Sequence, residues 1–178
     1  MRCVAFLRNV NQGQRGHPAT SDITAAFADA GCPDAVTFQS NGTVLFDSED
    51  PGAVADAVAV SIVARTGLDR DCFWIPFAVL VEVVDAHGAA PEPRRYEFTL
   101  HRGGSIEPAD PEVQQEAALR RCRIVDAGPF WALTRNDREG EGNATPVIEG
   151  LTGGRASSRG LPTLVRLVDR FAGEPGAS

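Results

Sequence analysis

Apolar residues crowd the opening of the chain. Cys3, Ala5 and Leu7 alternate with Val4 and Phe6, so residues 1–7 read as a strand with two apolar faces, the pattern of a central strand. A polar stretch follows over residues 8–19, long for a connection in a compact domain and a place where function concentrates. Ile23, Ala26, Phe27 and Ala30 then recur at i, i+3, i+4 and i+7, which predicts a helix capped by Thr20 or Ser21 and stopped by Gly31. Residues 36–39 and 44–46 predict a hairpin around Asn41-Gly42. Asp50-Pro51 opens a second helix, with Val54, Val58 and Ile62 on one side and Gly67 at its end. Residues 72–84 are expected as one long apolar strand, with Pro76 marking an edge or a bulge.

That order, strand-helix-strand-strand-helix-strand, is the split βαβ arrangement of a ferredoxin-like sandwich. After a Gly- and Pro-containing linker at residues 87–93, a similar order begins again. Tyr96, Phe98 and Leu100 alternate in a strand over residues 94–100, and Asp110-Pro111 opens a helix bearing the pair Glu116 and Arg120. Strands at 123–126 and 130–134 surround Ala127-Gly128-Pro129, and residues 136–143 form a charged loop. A short helix runs from Thr145-Pro146 to Leu151. A closing helix after Pro162 carries Leu164, Val165, Val168 and Phe171, with a tail from Gly173. The expected fold class is therefore α+β, two ferredoxin-like (split βαβ) sandwich halves at residues 1–86 and 94–178.

Composition narrows the function classes. The chain has 178 residues and net charge −7, which disfavours nucleic-acid binding through neutralised phosphates. No apolar run approaches the ~20 residues a membrane span needs, and the short apolar opening is no signal peptide, so a cytoplasmic protein without membrane partners is expected. All 17 basic residues are Arg, which removes Lys Schiff-base chemistry and a Walker-type phosphate Lys. Cys3, Cys32, Cys72 and Cys122, with His17, His87 and His101, show no metal-ligand spacing, so no metal or cofactor site is legible and buried thiols are expected. His17 and His101 are isolated and are expected at the surface; Trp74 and Trp131 lie in apolar strands and are expected in the core or an interface.

Three stretches resemble one family, the small bacterial proteins of domain-of-unknown-function family 1697. They are Leu7-Arg8-Asn9-Val10-Asn11-Gln12-Gly13-Gln14, then Ser40-Asn41-Gly42 before Val44-Leu45-Phe46, and Arg159-Gly160-Leu161-Pro162-Thr163-Leu164-Val165-Arg166-Leu167. The resemblance implies a pair of ferredoxin-like units and assigns no reaction. Asn9 and Gln14 stand where the family motif has glycine, and Ser-Asn-Gly replaces Ser-Gly-Asn.

The candidate chemistry is anion recognition. Arg8 follows a strand and can hold a carboxylate or phosphate through two parallel hydrogen bonds. Asn11 and Gly13 can present backbone N–H groups, and Ser40, Asn41 and Gly42 form a second polar turn. Arg155 and Arg159 flank Ser157 and Ser158 near a helix start. The expectation is a small anionic or nucleotide-like ligand in a cleft between the halves. The alternative is a non-catalytic protein-interaction module using an exposed sheet or edge strands. Neither reading specifies a reaction or an oligomeric state.

Overall fold

In the computed structural model, residues 1–173 are described; the tail expected beyond Gly173 lies outside them. The chain divides into two compact units, Met1–Val81 joined by the residues from Phe171, and Glu82–Arg170.

The first unit follows the expected order. β1 (Arg2–Leu7), α1 (Thr20–Asp29), β2 (Val36–Phe38), β3 (Thr43–Asp47), α2 (Pro51–Thr66) and β4 (Cys72–Pro76) build an antiparallel sheet ordered β2-β3-β1-β4. Cys3, Val4, Ala5, Phe6 and Leu7 are all fully buried, as a central strand with two apolar faces must be. Cys3, Ala5, Leu7, Val44 and Phe46 face the helices, packing with Ile23 and Phe27 of α1 and Val54, Val58 and Ile62 of α2. Val4, Phe6, Leu45, Phe73 and Ile75, on the other face, are buried too. Asp50 caps α2 by accepting the Ala53 N–H at 3.0 Å, with Pro51 in the first turn. The cap of α1 differs from the expectation. Its N-cap is Ala19, whose N–H is held at 2.9 Å by the Asp22 carboxylate reaching back from the first turn.

The largest correction concerns residues 72–84. The strand ends at Pro76, and α3 (Phe77–His87) starts at once. Phe77, Leu80 and Val83 are buried while Ala78, Glu82, Asp85 and Ala86 are exposed, a helical stripe rather than a strand alternation. The valines raise strand propensity here, and packing of the stripe overrides it.

The second unit repeats the topology. A 3-10 turn at Pro93–Arg95 precedes β5 (Tyr96–His101), then α4 (Pro111–Leu119), β6 (Cys122–Gly128), β7 (Trp131–Asn136), α5 (Ala144–Thr152), β8 (Ala156–Gly160) and α6 (Leu161–Phe171). The sheet order is β6-β7-β5-β8, the same permutation as in the first unit. Each last strand is followed immediately by an extra helix, α3 after β4 and α6 after β8. Strand β5 begins two residues later than expected, because Arg95 is pulled into the turn by donating from Nε to the Asn136 carbonyl at 2.9 Å.

Strand β8 was not legible, since Ala-Ser-Ser-Arg-Gly has no hydrophobic alternation. Its pairing with β5 and a hydroxyl chain hold it: Ser158 Oγ lies 2.7 Å from Thr99 Oγ1 and 2.6 Å from Thr145 Oγ1. On α6 the buried stripe is Leu161, Leu164, Leu167, Val168 and Phe171, so Leu167 takes the place expected for Val165. Trp131 is buried and stacked on Phe98, with centroids 5.3 Å apart, whereas Trp74 is half-buried.

The helical register of α3 is directly testable. Leu80→Ala is expected to lower the unfolding free energy by about 2–5 kcal/mol, and Glu82→Ala to change it by less than about 0.5 kcal/mol. Urea denaturation measures both; a strand would place the two residues on one face and make both substitutions matter.

Candidate functional site

At one end of the first sheet, two polar loops distant in sequence are joined. The loop after β1 and the turn between β2 and β3 share a backbone bond from Gln12 N–H to the Ser40 carbonyl at 2.6 Å. A second bond runs from Leu7 N–H to the Gly42 carbonyl at 2.8 Å. Gly42 permits this contact. It adopts φ +74°, and a Cβ there would lie 2.9 Å from Val10 Cβ and 3.0 Å from Leu7 Cβ. The Asn41 carboxamide oxygen accepts from Thr43 N–H at 3.3 Å and Thr43 Oγ1 at 2.8 Å, which locks the turn.

Within the longer loop, His17 Nδ1 lies 3.0 Å from Asn11 N and 3.1 Å from the Asn9 carbonyl. As the Nε2–H tautomer it accepts the Asn11 N–H. Half-buried, His17 thus organises the loop rather than decorating it. Thr20 Oγ1 donates to Gln12 Oε1 at 2.6 Å, tying the loop to the start of α1. Arg70 braces it from below, donating from Nη2 to the Gly16 carbonyl at 3.4 Å and from Nη1 to its neighbour's carbonyl, that of Asp69, at 2.9 Å. Sequence reasoning expected His17 only as a surface residue and gave Arg70 no role; their signals were a ring within the loop and a guanidinium just before β4.

The expected residues fall in two places. Arg8, Asn11, Gly13, Ser40, Asn41 and Gly42 gather on the joined loops of the first unit. Arg8 follows β1, and its N–H pairs with the Asp71 carbonyl at 2.9 Å. The Asn11 and Gln12 N–H groups are already engaged, so the loop presents side chains more than backbone donors.

Arg155 and Arg159 belong to the second unit, and the stretch expected as a connection before the closing helix contains strand β8, which runs directly into α6. Arg159 lies within β8 and is buried, its Nη1 donating to Ser157 Oγ at 3.1 Å and to the Ser158 carbonyl at 2.8 Å. Burial pulls its pKa down to about 9, so it stays charged at neutral pH. Arg155 is exposed beside the start of the same strand. The two are four residues apart along an extended chain, roughly 13 Å.

A cavity of about 480 Å³ opens on the second unit, lined by Glu92, Arg94, Arg95, Arg138 and Glu139 among others. None of the expected site residues lines it. Its charges are largely spent on one another. Glu92 holds Arg95 at 2.8 Å and Arg135 at 2.9 Å, and Glu139 holds Arg94 at 3.2 Å.

Among the described residues no cluster of three His, Cys, Asp or Glu side chains could hold a metal. All four cysteines are buried thiols. Burial raises Cys3 and Cys122 to about 11, far from a reactive thiolate.

Contrary to the surface position expected, His101 is buried, at 3 % exposed, with the Trp131 backbone beside its ring. Desolvation lowers its pKa from the ordinary 6.5.

Two antiparallel sheets in ferredoxin-like order, each backed by helices, define an α+β protein of two sheet halves. The chain belongs to the family described as "Protein of unknown function (DUF1697)", whose model matches residues 1–131. That match takes in the motifs around Arg8 and Ser40; the stretch from Arg159 lies beyond it. No curated protein and no solved structure matches the chain. Among the described residues, no helix is long and apolar enough to cross a membrane.

Two outcomes follow from this geometry. Gly42→Ala is expected to destabilise by about 1–3 kcal/mol, from overpacking and a strained left-handed backbone, read as a fall in melting temperature. His101 is neutral when folded and binds a proton more readily when unfolded. Its contribution is therefore complete above about pH 6.5 and declines as pH falls toward the lowered folded value, by at most ~1.4 kcal/mol per pH unit. His101→Phe should flatten that decline in melting temperature measured from pH 7.5 to 5.

Proposed function

We propose that the protein binds a small anionic or nucleotide-like ligand at the joined loops of the first unit. Arg8 supplies the charge, and Asn11, Gly13, Ser40, Asn41 and Gly42 supply the polar surface. The observation that carries this reading is the 2.6 Å bond from Gln12 to Ser40, which makes one surface of two loops separated by a helix and a strand. Loops fixed on the end of a rigid sheet are where binding residues concentrate. A guanidinium in such a place recognises carboxylate or phosphate by paired hydrogen bonds. On the second unit the reading keeps Arg155 and Arg159 as anion contacts in their own right.

A second reading, a protein-interaction module, draws on the apolar residues left in view. Val36 on edge strand β2 is 39 % exposed, and Val60 on α2 is 70 % exposed. Edge strands pair readily with other chains.

Thermal melting against a panel of nucleotides, inorganic phosphate and small carboxylates separates the two. A bound ligand raises the melting temperature by mass action, and Arg8→Ala is expected to weaken the response at least tenfold, about 1.4 kcal/mol or more. A flat panel combined with concentration-dependent self-association would replace the ligand reading with the interaction module.

A further inference from the structure

The cavity of the second unit opens beside a carboxylate seated between two arginines. Glu92 Oε2 accepts from Arg95 Nη1 at 2.8 Å and from Arg135 Nη2 at 2.9 Å. Glu92 and Arg95 both line the cavity, whose volume is about 480 Å³. Hydrogen bonding to Arg95 first, and then to Arg135, holds the Glu92 carboxyl below the usual carboxylate range.

The two arginines are fixed by contacts that do not involve Glu92. Arg95 donates from Nε to the Asn136 carbonyl at 2.9 Å, which anchors it to the end of β7. Arg135 and Tyr96 are partners across β7 and β5, and the Arg135 guanidinium carbon lies 5.9 Å from the centre of the Tyr96 ring. The side chains of Arg95 and Arg135 are 17 % and 23 % exposed, against 58 % for Glu92. The cationic half of the arrangement is therefore built against the sheet, and the anionic half is laid over it from the linker.

Glu92 is also held in a costly backbone conformation. It sits between Pro91 and Pro93 at φ +54° and ψ +54°, a left-handed conformation that strains a residue with a Cβ. An ion pair whose acid is more than half exposed gains little net stability from its contacts. A carboxylate from solution can be held by the same two N–H groups, and the cavity gives room for the rest of such a molecule. Elsewhere on the wall Arg94 is paired with Glu139 at 3.2 Å, and Asp137 and Arg138 follow one another after β7. Arg94, Arg95, Arg135 and Arg138 thus stand against Glu92, Asp137 and Glu139, a balance that is positive even with Glu92 in place. From this geometry we infer that Arg95 and Arg135 form a binding site for small carboxylic acids, which Glu92 occupies as a tethered placeholder. An external carboxylate enters only in those molecules whose Glu92 has swung out, so its apparent affinity is reduced by that fraction. The site lies wholly within the second unit and does not rest on the joined loops of the first.

Glu92→Gly tests it, because glycine suits the left-handed backbone at this position and takes the carboxylate away. The whole chain, unaltered and as Glu92→Gly, is titrated with acetate at constant ionic strength, with chloride as the balancing anion, and the amide NMR shifts are followed. Saturable shifts are expected at Arg94, Arg95, Arg135 and Asn136, with acetate bound at least tenfold more tightly by Glu92→Gly than by the unaltered protein. Adding Arg135→Gln to the Glu92→Gly chain should weaken that binding at least tenfold; Arg95→Gln takes its place if the first pair of changes does not fold. Shifts at residues 11–13 and 40–42 report on the first unit's loops instead, so the two readings fail separately. Silent amides at those four positions in folded Glu92→Gly would overturn the site, as would an acetate affinity that Glu92→Gly leaves unchanged or that loss of either guanidinium leaves intact.

Discussion

Each unit depends on a central strand with no face open to water. β1 is buried from Cys3 to Leu7, and β5 exposes only Glu97 in part. An antiparallel sheet commonly keeps one wet face; here both faces are covered. The polar groups of a central strand can then reach solvent only where the strand ends. Arg8 and Arg102 occupy that position in the two units.

The two central strands satisfy that constraint differently. β1 is apolar from Cys3 to Leu7, so burial adds to its ladders with β3 and β4 without any polar side chain in that stretch. β5 carries Glu97, Thr99 and His101 on its helix-facing side. Glu97 accepts from Asn136 Nδ2 at 2.8 Å and stands 3.4 Å from Ala144 N–H at the start of α5, where the helix dipole favours a carboxylate. Thr99 enters the hydroxyl chain through Ser158. His101 has no side-chain partner of that kind, and burial favours the neutral form of its imidazole. The second unit therefore trades apolar burial for a polar interior layer, which leaves it the more exposed to a change of pH.

The same difference runs through the sheet ends. In the first unit the loops are joined by side chains and backbone together, through His17, Thr20, Gln12 and Arg70. In the second unit a crossing of glycine backbones does the joining, with Gly104 N–H donating to the Thr152 carbonyl at 3.1 Å. One arrangement is bonded largely through side chains, the other through backbone.

Much of this was legible along the chain. Residue periodicity located β1, α1, the β2–β3 hairpin, α2 and α4, and the Asp-Pro pairs marked two helix starts, because those signals depend on neighbours a few residues away. Order alone then implied the split βαβ topology. The sequence by itself could not place α3, since a valine-rich stretch satisfies strand propensity and helical packing alike until a neighbouring surface selects one face. It could not reveal β8, whose stability lies in cross-strand hydrogen bonds and not in apolar residues. Nor could it show that Gln12 meets Ser40, that Arg159 turns inward, or that Arg155 faces Arg102. Those pairings join residues tens of positions apart, and only the register of the folded sheet decides which side chains share a face.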